Sequence, residues 1–447
     1  MRKRMVPLFA PVLALAAGAG AARAQEAPVP ISLSGAVTLA ADTAPAVRLA
    51  ELRTAEAEAR VRQARGGLLP SVSAAAGAAT QTRNRAAFGI EFPSIPGVPS
   101  TGDKIGPFET YDARLRAAAP VLDPAGLVRV RAQRQLAEST RGDRDAAAEA
   151  AGQRAAVAYL RAARAGATVA ARREDVRLAA ELVDLARRQL DAGVAAGIDV
   201  TRAQTQLVAA RGALAVAENG RAQADVELAR ALGVDPSTRF AVADTLSPAL
   251  AQPSVQAEGE AALAAALANR PELRAETARG EAARLSARAV RAERLPRLEV
   301  TADYGLTGVD PSDAFPTYSV GLQVSLPVFD GNRRVARTEE QELVAREAGV
   351  RAGDLREQVA GEVRSALLDV ASGQEQQRIA AERLQLALEE LSQAQERFAN
   401  GIAGNIEVIN AQGSLVRARD AVIEAQFATA AARVGLARAT GTARAVR

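Results

Sequence analysis

The stretch GVAAGIDVTRAQTQLVAAR at residues 193–211 has a second copy, GIAGNIEVINAQGSLVRAR, at residues 401–419. Self-similarity at a fixed offset indicates that the chain contains two copies of one structural unit. Each copy follows a long segment without proline and carries a glycine where a helix would end. The pattern therefore predicts the tip of a long helical hairpin, and two such hairpins in the chain.

The repeat extends beyond these tips, because PVLD at residues 120–123 returns as PVFD at residues 327–330. We expect repeat one at residues 25–234 and repeat two at residues 261–447, each with a half-length helix, a strand pair and a long hairpin. The stretch 235–260 between them contains Pro236, Pro248 and Pro253, which indicates a linker or an insertion.

The first 24 residues have the pattern of a secretory signal peptide. Arg2, Lys3 and Arg4 precede an apolar run, and residues 22–24 (ARA) form an A-x-A cleavage site. Removing this segment would take the formal net charge from +4 to 0. The chain has no cysteine, so we expect neither a lipid-modified N-terminus nor disulfides. No later apolar run reaches the length of a membrane-spanning helix.

The composition argues against an enzyme. Without histidine or cysteine, the common catalytic triads, zinc sites and haem sites lack their usual residues. The arginines alternate with glutamates, as on solvated helical faces, and form no basic block with interleaved aromatic residues. We therefore expect no catalytic residue, no cofactor, no metal site and no binding of nucleic acid.

The two predicted descending helices, residues 125–192 and 331–400, are each about 100 Å long at 1.5 Å per residue. Apolar residues recur three and four apart, as on packed helices. Examples are Leu178, Leu182, Leu185, Leu384, Leu388, Leu391 and Phe398. Matching the lengths of the shorter limbs predicts that residues 200–232 and 261–295 stack along the first long helix. By the same reasoning, residues 33–67 and 405–441 would stack along the second.

At the other end of the hairpins the pattern changes to strict alternation of apolar and polar residues. The predicted strands are residues 71–80, 111–119, 298–306 and 318–328, joined by loop-like segments at 83–107 and 308–316. Their lengths suit tilted strands that cross a bilayer. Four strands are too few to close a barrel, whereas three chains would supply twelve. A small soluble sheet that caps a helical protein is the other interpretation.

This order of elements resembles the TolC family of outer-membrane efflux and secretion channels, most specifically at residues 193–204, 401–412, 120–123 and 327–330. The resemblance implies a mainly α fold with a small β part. A homotrimer would form a 12-stranded transmembrane barrel in outer-membrane lipid and a long α-helical barrel in the periplasm. It also implies an exit duct supplied by a periplasmic adaptor and an inner-membrane pump, driven by protons or by ATP. Many members of the family carry a lipidated N-terminal cysteine. Because this chain has no cysteine, it more closely resembles the unlipidated TolC-type branch.

The resemblance also implies roles for the tips. The residues expected to dock the adaptor are Gly193, Val194, Ala195, Gly401, Ile402 and Ala403. The family's second repeat has two aspartates three residues apart at the closed periplasmic aperture, and Glu407 and Asn410 occupy those positions here. Asp199 is the matching acid in the first repeat. The alternative role for Asp199 and Glu407 is to stabilise the first turn of the ascending helix.

Two functions of different class remain: the outer-membrane duct, and a periplasmic structural or adaptor-like coiled-coil protein with a small β cap. The alternating strands favour the duct, because a soluble adaptor has no use for strands of membrane length. Drugs, metals, a secreted protein or a small metabolite are all compatible with the sequence as transported substrates.

Overall fold

The computed structural model describes residues 29–84, 104–251 and 259–446. The expected signal peptide lies outside these ranges, as do most of the expected loop at 83–107 and residues 252–258 of the expected linker. The strands are β1 (Val29–Ile31), β2 (Ser71–Asn84), β3 (Lys104–Leu122), β4 (Phe240–Val242), β5 (Arg297–Gly308) and β6 (Phe315–Ser325). The helices are α1 (Leu33–Thr43), α2 (Pro45–Gly66), α3 (Pro124–Asp191), α4 (Gly197–Leu232), α5 (Gly259–Asn269), α6 (Pro271–Ala292), α7 (Arg333–Ala399) and α8 (Asn405–Ala439). None of the described helices combines the length and the apolar character needed to cross a bilayer.

The two long helices confirm the hairpin prediction. Helix α3 has 68 residues and α7 has 67, so each is about 100 Å long. Asp123 begins α3 by accepting a 2.8 Å hydrogen bond from the backbone N–H of Gly126, with a proline at the first helical position. Gly193 and Gly401 follow the ends of the long helices with φ of +76° and +69°. Both adopt the left-handed conformation expected of a glycine after a helix.

Each half-length limb before a strand pair consists of two helices rather than one. A break separates α1 from α2 at Ala44-Pro45, and α5 from α6 at Arg270-Pro271. Proline has no backbone N–H and disfavours helical geometry in the preceding residue, so it begins a new helix at its own position.

The predicted end-to-end pairing of the half-length helices is wrong, although α6 does pack along the first long helix as expected, in addition to α7. The end of α4 meets the start of α2, where the Thr43 hydroxyl donates a 2.6 Å hydrogen bond to the Leu232 carbonyl. The end of α8 meets the start of α6, where Arg270 Nε donates to the Ala439 carbonyl at 3.0 Å. Thus α2 and α4 pack along α3, and α6 and α8 pack along α7. The physical reason is local connectivity, because one pair of adjacent strands joins α2 to α3 and another joins α6 to α7.

The four longer strands form one antiparallel sheet in the order β2-β3-β5-β6. All four predicted strands are present, although β2 and β3 are longer than expected and β6 ends before Val328. Register aligns Leu115, Tyr304 and Tyr318 on one face of the sheet. It aligns Arg116, Asp303 and Ser319 on the other face. The sheet therefore has one apolar and one polar face, as the alternation predicts.

The described part of the expected linker contains strand β4, which pairs in parallel with β1. Beside this pair, the fully buried Tyr159 places its hydroxyl 2.7 Å from Asp244 Oδ2. The same carboxylate oxygen accepts a 2.8 Å hydrogen bond from the backbone N–H of Leu33. Burial and the neighbouring Asp244 carboxylate raise the pKa of Tyr159. The segment that follows the first hairpin is therefore fastened to the middle of α3 and to β1.

Candidate functional site

The two hairpin turns have the same backbone construction. The N–H of Val194 bonds to the Gln189 carbonyl at 3.0 Å, and the N–H of Gly193 bonds to the Leu190 carbonyl at 2.9 Å. In the second copy, the N–H of Ile402 bonds to the Arg397 carbonyl at 2.9 Å. These bonds satisfy the last carbonyls of each helix and require a left-handed residue at the turn. The repeated glycines are thus explained by backbone geometry.

The residues expected to dock an adaptor lie at the far end of the hairpins from the sheet. Val194 is 69% exposed and Ile402 is 67% exposed, while Ala195 and Ala403 are half-buried. Small and apolar side chains at an exposed tip form a surface that another protein can cover without displacing charged groups.

The expected aperture acids already have partners in the single chain. The Asp199 carboxylate accepts a 3.3 Å hydrogen bond from the backbone N–H of Ala196 and lies 3.7 Å from Arg202. Glu407 Oε2 lies 3.1 Å from Nε of Arg397 on the descending helix. The Asp199 contacts are those of a helix-start residue, and the neighbouring arginines partly neutralise both carboxylates. Asn410 is exposed, one turn after Glu407 on the same helix face.

Two buried amide side chains join the tip of one hairpin to the tip of the other, and the sequence pattern did not single them out. Asn405 Nδ2 donates to the Asp199 carbonyl at 2.7 Å, and Gln189 Nε2 donates to the Phe398 carbonyl at 2.7 Å. Asn405 is fully buried. The one available signal was the difference between the copies, because Asn405 replaces Gly197 of the first.

Below these amides, an apolar cluster joins the hairpins. Its buried members are Leu182, Val183, Ala186, Ala203, Ala387, Leu391, Ala394, Phe398, Val408, Ala411, Leu415 and Ala418. Most of the predicted leucine stripe lies in or against this cluster, although Leu388 is 47% exposed. Burial of so many apolar side chains holds the two tips side by side.

A partly buried ionic group lies further from the tips and links α3 to α8. Arg172 bonds to Asp175 at 2.6 Å and also to Asp420 of α8. Arg419 of α8 lies 2.9 Å from the other oxygen of Asp175. Sequence patterns treated these residues as ordinary exposed helix charges. Their contacts instead bridge the two helices around the buried Asp175, whose carboxylate would lose a partner if either arginine were removed.

The family description "outer membrane efflux protein" fits residues 36–234 and 262–442 of the chain, which is most of its length. The outer membrane efflux protein BepC of Brucella suis is 27% identical over 296 residues, which are 64% of this chain and 62% of BepC. The matched region thus spans less than two thirds of that relative. Protein CyaE of Bordetella pertussis is 27% identical over 87% of this chain and 79% of its own length.

Solved structures have the same fold. A membrane protein from Pseudomonas aeruginosa superposes with a TM-score of 0.76 at 22% identity, covering 92% of this chain and 93% of its own. CusC superposes with a TM-score of 0.76 at 18% identity, covering 94% and 95%. The outer-membrane channel OprN gives 0.73 at 21% identity, covering 92% and 90%. The long hairpins and the four-stranded sheet are therefore an architecture found in outer-membrane channels.

Proposed function

Because the chain belongs to the outer membrane efflux protein family, we propose that three copies form an outer-membrane exit duct. The duct passively conducts substrates from the periplasm to the exterior. It serves as the outer component of a tripartite efflux or type I secretion system, and it performs no chemistry of its own.

The observation that carries this proposal is the two-faced sheet. Its apolar face leaves large side chains exposed, namely Val72, Leu115, Tyr304, Leu306, Tyr318, Val320, Leu322 and Val324. In water this exposure is costly, whereas in lipid the same side chains are stabilised. The polar face would line the duct. Strands β2 and β6 are open edges, and edges in lipid must be paired, so neighbouring copies would close the sheet.

The helices support the same assembly. Helix α4 packs mainly on α3, and α7 packs mainly on α6 and α8, so each leaves a free side. Large apolar residues are exposed on these helices, including Val208 and Val216 on α4, and Leu368 and Leu386 on α7. Two different free sides on one chain suit a head-to-tail contact, which closes into a ring when the rotation permits. A homotrimer is the ring that also gives twelve strands.

The exposed tips support docking of a periplasmic adaptor, with an inner-membrane pump beyond it that is driven by protons or by ATP. Asp199, Glu407 and Asn410 would then lie near the periplasmic aperture. Family membership supports this duct over the periplasmic adaptor-like coiled-coil protein, which has no need of a sheet with a wide apolar face.

The test is reconstitution of the purified full chain in planar bilayers. We expect discrete, long-lived conductance from a particle of three chains. A monodisperse monomer without conductance would contradict the duct. Deleting the gene in its host and measuring drug accumulation and protein secretion in parallel would then identify the class of pump that it serves.

A further inference from the structure

Six exposed arginines form a basic surface on the helix segments nearest the sheet. These residues, named here the arginine collar, are Arg131, Arg134, Arg284, Arg288, Arg291 and Arg346. They lie within about 20 Å of the sheet-side ends of α3, α6 and α7 at 1.5 Å per residue. Arg291 pairs with Glu342, and Arg284 lies 3.6 Å from Glu281. Within the described residues the other four collar arginines have no acidic partner.

The collar lies on one side of α3 and α6. Helix α1 covers the same side of these two helices at a level further from the sheet. Asp145 of α3 and Arg274 of α6 line one pocket together with Thr38 and Asp42 of α1. Arg131 precedes Asp145 by 14 residues, and Arg288 follows Arg274 by 14 residues. Fourteen residues are about four helical turns, so each pair shares a helix face.

The opposite side of the same helices has a different charge balance. There Arg337 pairs with Glu293 at 2.9 Å, and Arg129 lies 3.6 Å from Asp123. Both arginines line a groove that also contains Glu340. Both of these arginines have an acidic partner, unlike the four collar arginines that have none within the described residues.

Four of the six collar arginines lie around one groove between α6 and α7. It has a volume of about 770 Å³ and is lined by four of the arginines, with Glu342 as the one acid of its lining. Ala287, Ala345 and Gly349 also line it, and their small side chains leave room. The groove lies between two helices of one chain. Several guanidinium groups around one open space suit a phosphodiester, which arginine binds through paired hydrogen bonds.

We propose that the arginine collar binds anionic phospholipids of the membrane leaflet that faces the helices, and that the groove between α6 and α7 holds one phosphodiester headgroup. This inference rests on the proposed function, which places the sheet in the bilayer. Strand β5 begins five residues after the end of α6, so the collar starts close to the sheet. Basic residues immediately beside a membrane-inserted segment attract anionic lipid over a Debye length of about 8 Å.

The experiment uses the full chain in nanodiscs of equal phosphatidylethanolamine and phosphatidylglycerol, with retained lipids identified by native mass spectrometry. The wild type should retain phosphatidylglycerol at least about twofold over phosphatidylethanolamine. Arg288→Gln/Arg346→Gln should reduce this preference towards one. Arg187→Gln/Arg188→Gln removes the same charge from exposed residues near the tips and should leave the preference unchanged.

A second collar variant, Arg284→Gln/Arg288→Gln, guards against a folding defect in the first. Loss of preference in either variant, with trimer yield unchanged, supports the collar. Equal retention of the two lipids by the wild type would overturn it, as would an undiminished preference in both collar variants. A collar that binds an acidic protein instead would give that same result. Failure of the wild type to insert into bilayers would instead overturn the proposed function, and this inference with it.

Discussion

Asn405 at the start of α8 donates its side-chain amide to the backbone carbonyl of Asp199 at 2.7 Å, and this bond joins the second hairpin to the first. The contact is asymmetric, because the equivalent position in the first copy is Gly197, which has no side chain. A repeat that is nearly symmetric in sequence therefore has a directional link at its tips. The bond is buried, so breaking it costs more than breaking an exposed one.

We expect Asn405→Ala to loosen the contact between the tips. Removing the buried donor deletes the bond between the hairpins, while the Asp199 carbonyl keeps its place in the hydrogen-bond pattern of α4, so the cost is about 0.5–1.5 kcal/mol. Hydrogen exchange should accelerate at residues 196–203 and 405–412. Asn410→Ala is the matched control, since Asn410 is exposed, and it should leave exchange unchanged. Equal exchange in both variants would mean that the apolar cluster alone holds the tips.

The proposed trimer depends on the free sides of α4 and α7. A charge at Leu368, which is 71% exposed in the single chain, should oppose burial against a neighbouring copy. We expect Leu368→Arg to lower the yield of particles with three chains, measured by light scattering corrected for detergent. Val194→Arg introduces the same charge at an equally exposed tip residue and should leave the mass unchanged. A full yield of trimer from Leu368→Arg would move the interface elsewhere.

Docking at the tips predicts a loss of transport without a loss of assembly. Ala195→Arg or Ala403→Arg places a bulky charge on the small apolar turn that would face the adaptor. Transport in the host should be abolished while trimer yield stays at the wild-type level. Ala170→Arg, at an exposed residue of α3 away from the turns and from the proposed interface, should transport normally. Continued transport by both tip variants would show that the adaptor binds another surface.

The ion pair between Glu407 and Arg397 allows the predicted role at the aperture to be tested with two variants of opposite expected effect. Three copies of Glu407 near the axis would favour cations, and Arg397 at 3.1 Å offsets part of that charge. Glu407→Gln should therefore lower cation selectivity and block by trivalent cations in planar bilayers. Arg397→Gln should raise both. If neither changes, Glu407 acts only at the start of α8.

Glu149 predicts a pH dependence of stability. Its side chain is 8% exposed, and burial raises its pKa despite hydrogen bonds from the backbone of Ala443 and Arg444. Since the folded-state pKa exceeds the unfolded value of about 4.5, the folded state binds the proton more tightly. The stabilisation of the folded state by protonated Glu149 is complete below the unfolded-state pKa. It is lost as the pH rises through the pKa that Glu149 has in the folded state.

Glu149→Gln should remove this dependence and give a smaller decline in the midpoint of thermal unfolding between about pH 4 and pH 8. The scans are made on the purified protein in detergent. Parallel pH profiles for the variant and the wild type would show that Glu149 is ionised without penalty.

The local features of this fold were predictable because they repeat along the chain with fixed periods. The turn glycines, the long helices and the alternating strands each follow from a few neighbouring residues. The partner of each half-length helix was not predictable from length, because residues 33–67 and 261–295 contain 35 residues each. Either choice therefore matches a long helix equally well, and the strand connections decide between them.

The candidate site divides in the same way. The sequence located the tips, whose exposure and turn geometry follow from local signals. The bonds from Asn405 and Gln189 to the opposite hairpin, the pairing of β1 with β4 and the ion pairs from Arg172 and Asp175 to α8 were not predicted. Each joins residues far apart in the chain, where no periodic pattern records the contact. The roles of Asp199, Glu407 and Asn410 at an aperture stay a prediction.

The end-to-end junctions between half-length helices have a mechanical consequence. Among the described helices, only α3 and α7 pass the level of these junctions without a break. At the junctions the ends of different helices meet through hydrogen bonds, such as those of Thr43 with Leu232 and of Arg270 with Ala439. Abutting ends carry compression along the axis but offer little resistance to twist. Rotation of the tip-side half about the long axis relative to the sheet-side half is thus resisted mainly by α3 and α7, because the other helices are interrupted at the junctions.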